Sequence, residues 1–95
     1  MQFEWDDEKE QLNIGKHGID FSTAALVFGD ENRIEYYDEK HSEYEDRYAT
    51  IGLIGGTAYL VMVVYTERGE AIRLISARKA TKQEWRRYYD DSQRN

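Results

Sequence analysis

The chain has 95 residues, 40% of them hydrophobic and 34% charged, with a formal net charge of -6 and no cysteine. That length suits one domain, residues 1–95, around one modest core, and the hydrophobic and aromatic content points to a folded chain, not a disordered one. Without cysteine there is neither a disulfide scaffold nor a thiolate metal site; no apolar run approaches the roughly 20 residues that span a bilayer, and the opening MQFEWDDEKE does not read as a signal peptide. The whole is compatible with a cytoplasmic protein that has no dealings with a membrane.

The charge is unevenly divided. Residues 1–64 hold 5 Lys+Arg against 14 Asp+Glu, whereas residues 65–95 hold 8 against 5. A basic final third on an acidic body suits a localised anion-binding face, or else a last helix with a solvated charge pattern.

Taken in order, Phe3-Glu4-Trp5 reads as a short strand. Asp6 or Asp7 caps a first helix, with Glu10 in the capping-box position after Asp7, and Gly18 stands where a left-handed cap would close it after His17. Asp20 or Ser22 starts a second helix that presents Phe21, Ala24, Ala25, Leu26 and Phe28 to a core and ends at Gly29. From Arg33 the period turns from helical to alternating. Strands are expected at 33–38, 46–54, 57–66 and 71–78, with a polar connection over 39–45 and turns at Gly55-Gly56 and Arg68-Gly69. Thr81 and Glu84 form a T-x-x-E capping box for a last helix, whose Trp85, Tyr88 and Tyr89 make one apolar stripe. The tail DSQRN is expected to fray. The fold class is therefore α+β: two N-terminal helices, a four-stranded antiparallel sheet plus a short first strand, and a C-terminal helix.

With two tight hairpins the sheet faces can be assigned. Arg47, Val64 and Arg73 would lie in a row, beside Ala49, Met62, Ile75 and Lys79, while Tyr48, Val63, Leu74 and Arg78 would point the other way. Two strand spacings separate Arg47 from Arg73, about 10 Å, which one phosphate between two long side chains can bridge. A bulge in either hairpin would reverse the faces beyond it.

Were the anion a phosphodiester, its metal-free cleavage would need help for the attacking hydroxyl, stabilisation of charge on phosphorus and a proton for the leaving oxygen. Arg73 and Arg78 are the first candidates for the charge, since a long cation on a central strand either serves a site or pairs with an acid from the N-terminal half. Arg47 and Lys79 share that argument, and Arg68 stands at the turn. His41, of the residue type that exchanges protons near neutrality, is a candidate acid or base, unless it is simply an exposed loop residue. Glu67 is a candidate base or a solvated turn residue, and Trp5 either stacks on a base or belongs to the core. His17 suits a helix C-terminus. Ser76 lacks a His-Asp pattern for nucleophilic catalysis, and no cofactor or metal site is indicated, as the acids show no clustering on a strand.

Several segments, in order over most of the chain, resemble the BrnT family of toxins from bacterial toxin–antitoxin pairs: FEWD at 3–6, KHGIDF at 16–21, A-x-V-F-G-D at 25–30, HSEYEDRY at 41–48 before T-I-G, YTERG at 65–69 and IRLISARKAT at 72–81. The resemblance implies a RelE-like microbial ribonuclease fold and metal-independent RNA cleavage that shuts down translation. It also implies neutralisation by a BrnA-like antitoxin with a ribbon-helix-helix DNA-binding part, and promoter binding by a complex of two toxins and two antitoxins. Family-type basic residues fall on Arg73 and Arg78, the turn pair on Glu67-Arg68, and the HSE…R segment on His41 and Arg47. The chain departs from the family pattern at Ile14-Gly15 and in its acidity, which suits docking of a basic antitoxin. Two functions follow: a metal-independent endoribonuclease toxin, or a degenerate toxin kept as antitoxin partner and transcriptional co-repressor.

Overall fold

A computed structural model describes residues 1–93. Five strands, β1 (Gln2–Glu4), β2 (Ile34–Tyr37), β3 (Tyr48–Leu53), β4 (Leu60–Arg68) and β5 (Ala71–Lys79), form one sheet in the order β1-β5-β4-β3-β2. The last four make the expected antiparallel meander, and β1 adds to β5 in parallel. Helices α1 (Asp7–His17) and α2 (Phe21–Ala24) precede the meander, and α3 (Lys82–Gln93) follows it. The expected second helix is thus a single α-helical turn that tightens into a 3-10 segment over Ala25–Gly29. Of the tail expected to fray, residues 91–93 belong to α3, and residues 94 and 95 lie outside the described residues.

The sheet buries both faces. On one face Phe21 of α2 and Val27 of the 3-10 segment pack with Val63, Tyr65, Leu74 and Ala77 of the sheet, and α1 lies along β5. On the opposite face Ala49, Ile51, Leu60 and Met62 pack against Tyr88 of α3. Gly52 lets the 3-10 segment lie close to β3: a methyl there would stand 2.8 Å from Val27 Cγ1. Asn13 is buried and seals the edge of β5 beyond the short β1. Its amide donates to the carbonyls of Ala77 (2.9 Å) and Ile19 (3.0 Å) and accepts from Ala77 N–H (3.1 Å).

The caps follow the sequence with one exchange. Asp6 caps α1 by accepting from Glu8 N–H at 2.9 Å, but Glu10 turns away from the capping box and accepts from Phe21 N–H at 2.9 Å, tying α1 to α2. Gly18 takes the left-handed cap at φ 70°, and its N–H reaches Ile14 O at 2.8 Å. Thr81 and Glu84 make the full reciprocal box, at 3.2 and 2.9 Å.

Both hairpins differ from the expected register. Leu53 pairs with Leu60 across a longer loop, so β4 starts three residues later than expected and the register moves by two. A shift of two keeps every side chain on its face: Ala49 lies opposite Val64, and one step further Arg47 falls opposite Thr66 instead of Val64. The second turn is Gly69-Glu70, not Arg68-Gly69, since Arg68 pairs with Ala71, and Gly69 supplies φ 60°. Thr66 then faces Arg73, until a bulge opposite Val64/Tyr65 inserts one residue into β5. Beyond it Ser76 pairs with Val64 and Arg78 with Met62. The bulge corrects the face assignment: Arg78 joins Arg47 and Arg73, and Lys79 moves to the other side. Its physical reason is burial, because strict alternation would aim Arg78 into the core that Leu74 and Ala77 share.

Candidate active site

At one end of the sheet the chain runs from β2 into β3 through a pinched loop. Asp38 N–H donates to Arg47 O at 2.8 Å, and Ser42 Oγ, which donates to Asp38 O at 2.6 Å, accepts from Arg47 N–H at 2.9 Å. Within the loop a 3-10 turn, Glu39–His41, brings the His41 ring back onto Asp38, with Nδ1 3.0 Å from Oδ2. A carboxylate only accepts, so Nδ1 carries the proton and Nε2 is left to exchange one. His41, Lys40, Tyr44, Glu45 and Arg47 line an open concavity of about 340 Å³.

Arg47 leads from that concavity to the sheet. Its Nε is buried with no hydrogen-bond partner among the described residues, and its Nη2 lies 3.6 Å from Glu45 Oε2. The other Glu45 oxygen accepts from Arg68 Nη2 at 3.2 Å. Glu45 also borders a second concavity, of about 360 Å³, with Asp46, Tyr48, Thr66, Glu67 and Arg68. Thr66, itself buried, donates to Asp46 O at 2.6 Å, and its cross-strand neighbour Arg73 pairs with Glu4 of β1 at 2.7 Å. This end therefore assembles a histidine–aspartate pair, three arginines and three glutamates, Glu45, Glu67 and Glu4.

The α3 end is organised differently. Arg78 makes a two-pronged pair with Glu84 at 2.8 and 2.9 Å. Burial disfavours the Glu84 charge, but bonds from Arg78 and Thr81 outweigh it and hold the carboxyl below its ordinary range. Asp30 accepts from Leu53 N–H (2.8 Å), Asn32 N–H (2.9 Å) and Tyr88 O–H (2.6 Å). Burial again opposes its charge, and these bonds with nearby Arg33 again prevail, so its pKa is lowered. Burial, with the bond to Asp30, pushes the Tyr88 hydroxyl up. Arg87 lies over the Tyr36 ring at 4.4 Å.

The family model for the ribonuclease toxin BrnT of type II toxin–antitoxin systems matches residues 5–84. The chain belongs to the BrnT family. No curated protein matches it. Members of the BrnT family are ribonuclease toxins, and membership of a type II system implies an antitoxin protein as partner.

Within this BrnT domain the sequence-derived candidates divide between the two ends. His41, Arg47, Glu67, Arg68 and Arg73 gather at the turn end, in the two concavities and beside them. Arg78 belongs to the α3 end, and Lys79 extends over the Tyr59 ring at 5.7 Å on the other face. Trp5 packs edge-on against Phe21 at 6.0 Å, beside the N-terminal core. Sequence reasoning passed over Asp38, Glu45 and Glu4. The i, i+3 spacing of Asp38 and His41 is a usable signal once the polar connection is read as a helical turn; Glu45 and Glu4 reach their arginines only through the fold. Among the described residues no helix is long and apolar enough to cross a membrane, and no group of three or more His, Cys, Asp or Glu is placed to hold a metal ion.

Proposed function

We propose that this BrnT-family chain is a metal-independent endoribonuclease whose chemistry sits at the turn end of the sheet. The observation that carries the reading is that His41, held by Asp38, and Arg47, whose Nε has no hydrogen-bond partner among the described residues, line the same concavity. Arg47 and Arg73 hold the scissile phosphate and offset the charge that builds on it. Glu67, on the rim, takes the proton of the 2′-hydroxyl; the 2′-oxygen bonds to phosphorus as the bond to the 5′-oxygen breaks; protonated His41 supplies the leaving oxygen with its proton through Nε2. The products are a 2′,3′-cyclic phosphate and a 5′-hydroxyl. Cleavage of cytoplasmic RNA stops translation, a BrnA-like antitoxin silences the toxin in a complex of two copies of each, and that complex binds promoter DNA through the antitoxin.

One observation favours the second reading, a non-catalytic antitoxin partner and co-repressor: Arg73 and Arg78 are already occupied by Glu4 and Glu84. The two readings separate in one assay. Purified toxin without antitoxin is incubated with labelled RNA in EDTA, alone and with translating ribosomes, beside His41→Ala and Glu67→Gln. Cleavage that leaves cyclic phosphate ends and falls about 100-fold or more in His41→Ala supports the enzyme. Intact RNA in both settings supports the co-repressor.

A further inference from the structure

We propose that Arg47 and Arg68 form one clamp for a phosphodiester oxyanion, and that Glu45 occupies it as an internal stand-in that RNA must displace. The inference rests on the turn-end reading above and adds a residue and a competition to it. Glu45 splits its carboxylate between two cations, one oxygen 3.2 Å from Arg68 Nη2 and the other 3.6 Å from Arg47 Nη2. Arg68 is thereby hydrogen-bonded, but Arg47 is only approached, and its buried Nε finds no partner among the described residues. A guanidinium presents its N–H groups as a fork that two oxygens of one anion fill side by side. A planar carboxylate stretched between two arginines cannot fill it. A tetrahedral phosphodiester has its two free oxygens plus bridging ones, enough to take Nε and Nη2 of Arg47 together while still meeting Arg68.

The place fits as well as the chemistry. Glu45 borders both concavities, with His41 in one and Glu67 in the other. Glu45 thus stands where the concavity of the proposed acid meets the one that Glu67 borders. Glu45 also keeps two arginines from repelling each other in the free toxin. It sets a threshold for ligands: an uncharged group gains nothing by displacing it, whereas an anion replaces like with like and satisfies Nε in addition.

Binding, not cleavage, tests this. A fluorescent oligonucleotide with 2′-O-methyl groups throughout cannot be cut through its 2′-oxygens, and its Kd is read by anisotropy for wild type, Glu45→Gln, Arg47→Met and the double variant. Glu31→Gln, an exposed acid away from the clamp, corrects for the simple loss of a negative charge, and thermal unfolding checks that each variant folds. The clamp predicts that Glu45→Gln tightens binding about three- to tenfold, more than Glu31→Gln, that Arg47→Met weakens it, and that the gain from Glu45→Gln disappears in the Arg47→Met background. Equal gains from Glu45→Gln and Glu31→Gln, no gain at all, or the same gain with and without Arg47 would overturn the clamp. If the binding pattern holds while unmodified RNA stays intact, the clamp stands and the ribonuclease reading fails.

Discussion

Arg78 and Arg47, at the two ends of the sheet, are treated in opposite ways. At the α3 end Arg78 and its surroundings are satisfied: a two-pronged carboxylate for Arg78, three donors for Asp30, a reciprocal cap for the helix. At the turn end Arg47 has a buried Nε with no partner among the described residues and a carboxylate just beyond hydrogen-bonding distance. A satisfied charge holds a structure together; an under-satisfied one costs stability and is tolerated where a ligand completes it. The lesson is that cations of one family and one sheet face need not share one role, and the hydrogen-bond accounting separates them.

Substitutions at either end change this difference. The largest expected effect is at Asp30. Asp30→Ala strands the Leu53 N–H, removes the bond from the Tyr88 hydroxyl and loosens α3, a cost of about 3 kcal/mol read as a lower midpoint in chemical or thermal unfolding. Gly52→Ala pushes a methyl against Val27 Cγ1 and costs about 1–3 kcal/mol, with no direct effect on the turn end. Glu84→Gln removes the charge that holds Arg78 and is smaller, about 1 kcal/mol.

Acid sharpens the same contrast. The folded carboxyls of Glu84 and Asp30 both titrate below their ordinary values. Their contribution is therefore complete above the ordinary carboxyl range and is lost as pH falls through the lowered values. Unfolding free energy should decline on acidification in that window, and the decline should be shallower in Glu84→Gln and Asp30→Asn. Smallest in stability should be the turn end: His41→Ala is expected to change unfolding by no more than about 0.5 kcal/mol, as exposed positions do, even as it lowers cleavage by about 100-fold or more.

Much of this was legible in the sequence because local signals agreed. Asp20, Gly18 and the Thr81–Glu84 box announced their helix ends, and the switch to alternation at Arg33 announced the meander. The face assignment survived a wrong loop length because the slip was an even one, but not the bulge in β5. The clue to that bulge was present: Leu74 and Ala77 both belong to the core at a spacing that strict alternation forbids, and Arg73 and Arg78 need the opposite face. Glu10 illustrates a different limit. Its spacing from Asp7 matched a capping box, yet the Phe21 N–H offered a tertiary partner that no local pattern reveals. The turn-end cluster was half legible, since His41, Arg47, Glu67 and Arg68 were named singly, but Glu45 gains its meaning only where β3 and β4 bring two arginines to it.

Metal-free RNA cleavage and thermal unfolding, measured together for Arg47→Met and Arg78→Met, set the two ends against each other. Arg47→Met should lower cleavage by about 100-fold or more and leave the unfolding midpoint nearly unchanged, while Arg78→Met should lower the midpoint and, below it, retain most cleavage. The reverse pattern, with Arg78→Met inactive but stable and Arg47→Met active, would move the chemistry to the α3 end and contradict its placement at the turn end.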